Sequence, residues 1–133
     1  MAAAPTFKKR ERMTSNLLME ALFENGSSQS VSAFPLRVVY QTIERQSDHG
    51  PAQILISVPK KRFKHAVDRN RVKRQIREAY RQHKQLLWEK IAENQEMLVG
   101  FIWLSDSHYP SKEVEHRVVK ILQRIAKGET VKK

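Results

Sequence analysis

A chain of 133 residues with a formal net charge of +11 and no cysteine is long enough for one domain with a modest core. The missing cysteine excludes disulfides, thiolate metal sites and thiol catalysis. The longest apolar run, residues 97–104, is too short to span a bilayer, and the start MAAAPTFKKRER lacks the apolar core of a secretory signal.

Residues 1–6 are expected to be flexible, and Lys8, Lys9, Arg10 and Arg12 follow as a short basic arm. From Thr14 or Ser15 to Asn25 the spacing of Leu18 and Leu22, with Met19 and Phe23 on neighbouring turns, predicts a short helix. Asn25-Gly26 ends it, so the triplet Asn25-Gly26-Ser27 reads as a turn and not as a glycosylation acceptor. Residues 27–33 are polar and suit a loop or a weak edge strand. Residues 34–44, containing PLRVVYQTI, are rich in β-branched and aromatic side chains and predict a strand. The turn signal at 46–51 predicts that residues 53–58, QILISV, return as its hairpin partner. Pro59 has no donor for a ladder and marks the end of that strand.

Residues 60–84, KKRFKHAVDRNRVKRQIREAYRQHK, hold 11 Lys/Arg against 2 acids and so carry nine of the eleven net positive charges. From 66 to 88 there is no Pro or Gly, and good helix formers dominate. At about 100° per residue, Val72, Ile76, Ala79, Tyr80, Leu86 and Leu87 fall in one sector. Arg69, Asn70, Lys73, Arg74, Arg77, Arg81 and Lys84 fall in the next. One face packs, Tyr80 included, and the face beside it presents guanidinium and ammonium groups suited to phosphate. Asp68, in the first turn, partners the helix dipole. The apolar run at 97–104, MLVGFIWL, predicts a buried strand. After Tyr109-Pro110-Ser111 a last helix buries Val114, Val118, Ile121, Leu122 and Ile125, and residues 128–133 form a flexible basic tail. The whole reads as one α+β domain, a sheet with helices packed largely on one side, and a strand–helix–strand unit of this kind ordinarily crosses over right-handed.

The basic helix, the strand before it and the arm together resemble the bacterial ribonuclease P protein component. The resemblance rests first on Ala66-Val67-Asp68-Arg69-Asn70-Arg71-Val72-Lys73-Arg74, with its Arg-Asn-Arg signature, and continues through Ile76-Arg77-Glu78-Ala79-Tyr80-Arg81. Ile56-Ser57-Val58-Pro59-Lys60-Lys61 is similar to the family's strand ending in a Lys-Lys pair, and Phe7-Lys8-Lys9-Arg10-Glu11-Arg12-Met13 to its N-terminal entry. Phe23 and Gly26 stand where the family ends its first helix. Met19 departs from a common aromatic, Leu55 from a common Gly, and Pro59 from Ser or Gly.

The resemblance implies an αβββαβα sandwich with a central mixed sheet and a left-handed crossover. It also implies a ribonucleoprotein enzyme, ribonuclease P, whose RNA subunit removes the 5′ leader of precursor tRNA with Mg2+ bound mainly by the RNA. Carried over by position, Lys60, Lys61, Arg69, Asn70, Arg71 and Arg74 face the catalytic RNA. Met19, Phe23, Phe34, Lys73 and Arg77 line a cleft for the single-stranded leader, and Lys8, Lys9, Arg10, Arg12 and Arg81 are auxiliary cations. Basic groups tracking a backbone and apolar platforms for bases are what a sequence-tolerant single-strand clamp needs. Met19, Phe23 and Phe34 equally suit a core. The partners implied are the RNA subunit and precursor tRNA, in the cytoplasm, with neither membrane nor DNA. His49, His65, His83, His108 and His116 show no ligand spacing, and no Gly-rich phosphate loop is present, so no metal or catalytic group is expected in the protein itself. A structural RNA-binding protein of ribosomal type is the alternative. A DNA-binding helix-turn-helix would need a helix where a strand is predicted.

Overall fold

The computed structural model describes residues 28–44, 51–128 and the backbone of 131–132. The arm at Lys8, Lys9, Arg10 and Arg12, the predicted first helix with Met19 and Phe23, and the turn at 46–50 lie outside the described residues. In chain order the elements are β1 (Gln29–Ala33), β2 (Leu36–Glu44), β3 (Ala52–Ser57), α1 (Ala66–His83), a single turn α2 (Gln85–Trp88), β4 (Gln95–Trp103), α3 (Ser111–Ala126) and β5 (Val131–Lys132). They form an α+β fold around one mixed sheet of strand order β3-β4-β2-β1-β5.

The apolar run predicted as a buried strand is β4, and it sits between two neighbours. β2 pairs with it antiparallel along its whole length, from Leu36↔Trp103 to Glu44↔Gln95. β3 pairs with it parallel, from Ala52↔Met97 to Ser57↔Ile102. The expected β2–β3 hairpin is therefore corrected: β4 inserts between the two. A strand buried on both faces gains most from ladders on both edges, and β4 is the strand whose residues 96–101 are all buried. The segment left open between loop and edge strand is the strand β1, paired antiparallel with β2. The tail expected to be flexible instead adds Val131–Lys132 to β1. Gly128 makes that return possible, ending α3 at φ 75° with its N–H donating to Ile125 O at 3.0 Å.

Alternation along the strands divides the apolar residues between two faces. Val38, Tyr40, Val99, Phe101 and Trp103 meet Val72, Ile76, Ala79 and Tyr80 of α1, Leu87 of α2, and Val114, Val118, Ile121, Leu122 and Ile125 of α3 in the main core. Every side chain assigned to the apolar faces of the two long predicted helices is buried there except Leu86, which is partly buried against the core from α2. The other face is smaller, with Val39 and Leu98 buried among Ile43, Leu55 and Ile102. Leu55 lies opposite Gly100 in the parallel register, so a bulky residue on one strand is matched by a missing side chain on the next. On the same face Gln53 Nε2 donates to the carboxylate of Glu96 at 2.8 Å, and this polar link accompanies an acid that is 0% exposed.

The helix predicted to reach Trp88 is interrupted at Lys84, where Leu87 N–H donates to Lys84 O, three residues back, at 3.0 Å. Lys84 is only 6% exposed, and its ammonium lies over the Trp88 ring, 4.4 Å from the centroid. Trp88 Nε1 in turn donates to the buried Tyr80 hydroxyl at 2.9 Å. No helix among the described residues is long and apolar enough to cross a membrane.

The loops leading into α1 and α3 meet at one end of the sheet. Phe63 stacks on His108 with centroids 4.5 Å apart and planes 16° from parallel. His108 Nε2 is bonded to Asp68 Oδ1 at 3.0 Å, and Arg62 reaches Asp106 at 3.4 Å. Asp68, expected to serve only the helix dipole, is thus also a side-chain partner of the β4–α3 loop. Arg69 completes the clamp from inside the helix, one guanidinium nitrogen donating to Phe63 O and Lys64 O at 2.9 Å each. His108→Ala removes the stack and one bond together, with an expected loss of about 1–2 kcal/mol in urea unfolding. Its signature is local: amide exchange at residues 60–65 should accelerate more than in β4, and equal acceleration in both would contradict the clamp.

Candidate nucleic-acid interface

Basic side chains gather where α1 begins, because β3 ends there and the chain must cross the sheet to enter β4 in parallel. Lys60, Lys61 and Lys64 are exposed on the entry loop, and Asn70, Arg71 and Arg74 are exposed on α1. None of these six side chains has a hydrogen bond or ion pair among the described residues. Unpaired cations that close repel one another, and a polyanion relieves that repulsion. Val67, 74% exposed, shares the outer face of α1 with Asn70 and Arg74 and offers an apolar contact among the charges.

The remaining sequence-predicted cations divide differently. Arg69 is half-buried and holds the entry loop by its carbonyls, so it shapes the basic surface as well as adding charge to it. Lys73 and Arg77 are half-buried on one flank of α1. Lys84, placed by periodicity in the same stripe, is corrected to the interior. Arg81 is bonded through Nε to Glu78 at 3.0 Å, which pairs it within its own helix. Phe34 is 59% exposed in the β1–β2 turn, on a different element from Lys73 and Arg77. Met19 and Phe23 lie outside the described residues.

Two cavities open on the other flank of α1, against α3. One, of about 320 Å³, is lined by Arg71, Arg74, Gln75, Glu78 and Ser111. The next, of about 200 Å³, shares Gln75, Glu78 and Ser111 and extends to Gln82 and Glu115. Gln75 Nε2 donates to Tyr109 O at 3.0 Å and to Ser111 Oγ at 3.1 Å, and His83 meets Glu115 at 2.7 Å. Sequence reasoning missed Gln75, His108 and Ser111. Their partners lie 34 to 40 residues away, beyond the reach of any local pattern. Among the described residues no cluster of His, Asp or Glu could hold a metal ion.

The Arg81 hydrogen bond and charge hold the Glu78 carboxyl below its ordinary value of 4.5. A depressed carboxyl stabilises the fold above its unfolded pKa and loses that contribution as pH falls through the folded value. The window is therefore acidic, from about pH 5 downward. Melting temperature followed from pH 6 to pH 3 should fall less in Glu78→Gln than in the unsubstituted chain. Parallel curves would show the pair to be without effect on stability.

Residues 7–126 match the family model described as Ribonuclease P. The chain is 40% identical to the ribonuclease P protein component of Porphyromonas gingivalis over 131 residues, covering 95% of this chain and 92% of that one. The fold is similar to the ribonuclease P protein of Staphylococcus aureus, with a TM-score of 0.67 at 22% identity, covering 88% of this chain and 95% of that one. It is also similar to that of Thermotoga maritima, with a TM-score of 0.63 at 19% identity, covering 86% and 96%. The family model spans the whole basic segment, both loops of the clamp and every strand of the sheet but β5, and the chain belongs to the ribonuclease P protein family.

Proposed function

We propose that this chain is the protein subunit of ribonuclease P, binding the RNA subunit through the entry loop and outer face of α1 and assisting removal of the 5′ leader from precursor tRNA. The observation that carries this reading is the group of unpaired cations Lys60, Lys61, Lys64, Arg71 and Arg74, held on a prefolded loop and helix in a chain of this family. Lys and Arg on a rigid scaffold neutralise phosphates without first being ordered, so binding is strong and falls steeply with salt. Neutralisation also lets two polyanions, the RNA subunit and its substrate, approach each other. The leader contacts are Phe34, Lys73 and Arg77, joined by Met19 and Phe23, with bases stacking on the apolar groups and phosphates meeting the cations. The basic arm at Lys8, Lys9, Arg10 and Arg12 adds to the field, and Arg81, paired with Glu78, adds little. Mg2+ is bound mainly by the RNA, as the family resemblance implies. The complex works in the cytoplasm.

The test is precursor-tRNA cleavage by a ribonuclease P RNA at low magnesium, with and without the chain. Arg71→Ala/Arg74→Ala is the informative variant, because Arg69→Ala would also loosen the entry loop. The unsubstituted chain should restore cleavage at the mature 5′ end. The double variant should need about 10-fold more protein to do so, from two lost phosphate contacts. Salt-sensitive RNA binding without any restored cleavage would instead support a structural RNA-binding role.

A further inference from the structure

We propose that the cavity between the middle of α1 and the start of α3 seats one backbone phosphate of the RNA subunit, gripped by Arg71 and Arg74 from one wall and by the Ser111 hydroxyl from the other. The proposal rests on the RNA-binding reading above and extends the interface from one helix to two.

Arg71 and Arg74 are three residues apart, so their side chains are neighbours on the helix surface. Both are exposed, and neither has a hydrogen bond or ion pair among the described residues. The one carboxylate lining the same cavity, Glu78, is already engaged by Arg81 and by Gln82, at 3.0 and 3.2 Å. Two like charges beside a neutralised acid leave a net positive pocket, and an anion is what it lacks.

The opposite wall is held in place by Gln75. Its amide donates both to Tyr109 O and to Ser111 Oγ, which fixes the first residue of α3 against the middle of α1. Because Ser111 Oγ accepts from Gln75, its own O–H is left to donate elsewhere. The exposed Lys112 follows it, with no partner among the described residues. Two guanidinium forks and a hydroxyl donor approaching from two helices suit a tetrahedral phosphodiester, which offers acceptor oxygens in several directions, better than a planar carboxylate. Gln75 is a positioning residue here: it orients Ser111 and does not itself reach the phosphate.

The experiment measures Kd of the full chain for a ribonuclease P RNA across a salt series. It compares the unsubstituted chain, Ser111→Asp, Arg71→Ala/Arg74→Ala, the triple variant, and Gln123→Asp at the far end of α3 as a control for added charge. An acid in the first turn of a helix is well tolerated, and thermal unfolding checks that each variant is folded. Ser111→Asp should weaken binding about 10-fold and reduce the slope of log K against log salt by about 0.7–0.9, one phosphate's worth. In the Arg71→Ala/Arg74→Ala background the same change should cost no more than about 2-fold, since groups that share one ligand are coupled. Gln123→Asp should lower affinity by less than about 2-fold, its charge being more than a screening length from the seat. Equal losses from Ser111→Asp in both backgrounds, or none in the unsubstituted chain, would overturn the seat while leaving RNA binding intact. An unsubstituted chain whose RNA binding ignores salt would instead overturn the RNA-binding reading, and the seat with it.

Discussion

The parallel pairing of β3 with β4 is the constraint from which the rest of the architecture follows. Antiparallel neighbours can be joined by a tight turn, but parallel ones need a long connection that returns to the starting end of the sheet. Here that connection is the entry loop, α1 and α2. The densest positive charge in the chain therefore lies across a sheet on a helix whose apolar face is fully committed to the core. Without the crossover the same residues would be a basic peptide with no fixed face. With it, they become a surface whose cations keep fixed relative positions before any partner arrives.

Concentrating charge in this way opposes folding, and several local arrangements offset the repulsion. Glu78 neutralises Arg81 within one helical turn. Asp68 sits in the first turn, where the helix dipole favours it, and is held there by His108. Lys84 leaves the surface altogether and lies on the Trp88 ring, its stem covering apolar area while the ring face stabilises its charge. The cations left unpaired lie mainly on the entry loop and the outer face of α1. The partition between neutralised and open charge thus runs along the helix: its first half and the loop before it are open, and its second half is largely satisfied from within.

Much of this was legible in the chain alone. The buried faces of α1 and α3 followed from 3.6-residue periodicity, and Val72, Ile76, Val118 and Ile121 are all fully buried. β4 followed from its continuous apolar run. What periodicity could not supply was adjacency. The turn signal after β2 read as a hairpin because a turn reports only that the chain reverses, whereas the neighbour of each strand depends on which strand most needs two partners. Lys84 was assigned to the charged stripe by angle, but a flexible four-carbon stem can bring its ammonium to an aromatic ring one turn away. The clamp of Phe63, His108 and Asp68 had no local signature, since His108 is 40 residues from Asp68 and meets it only because two loops share one end of the sheet. The basic helix followed from composition and periodicity, its family from resemblance, and its surroundings from the structure.

Among the described residues one edge of the sheet, β3, pairs on one side only, and it is bracketed by Pro51 before it and by Pro59, Lys60 and Lys61 after it. Prolines cannot extend a ladder, and lysines beside an edge repel a second copy of the same edge. The lysines of the entry loop thus also stand as gatekeepers against edge-to-edge pairing. The same exposed charges therefore serve at once as an edge guard and as the open cations of the entry loop. A polyanion that covered those lysines would take over that guard, supplying the repulsion between copies that the lysines otherwise provide.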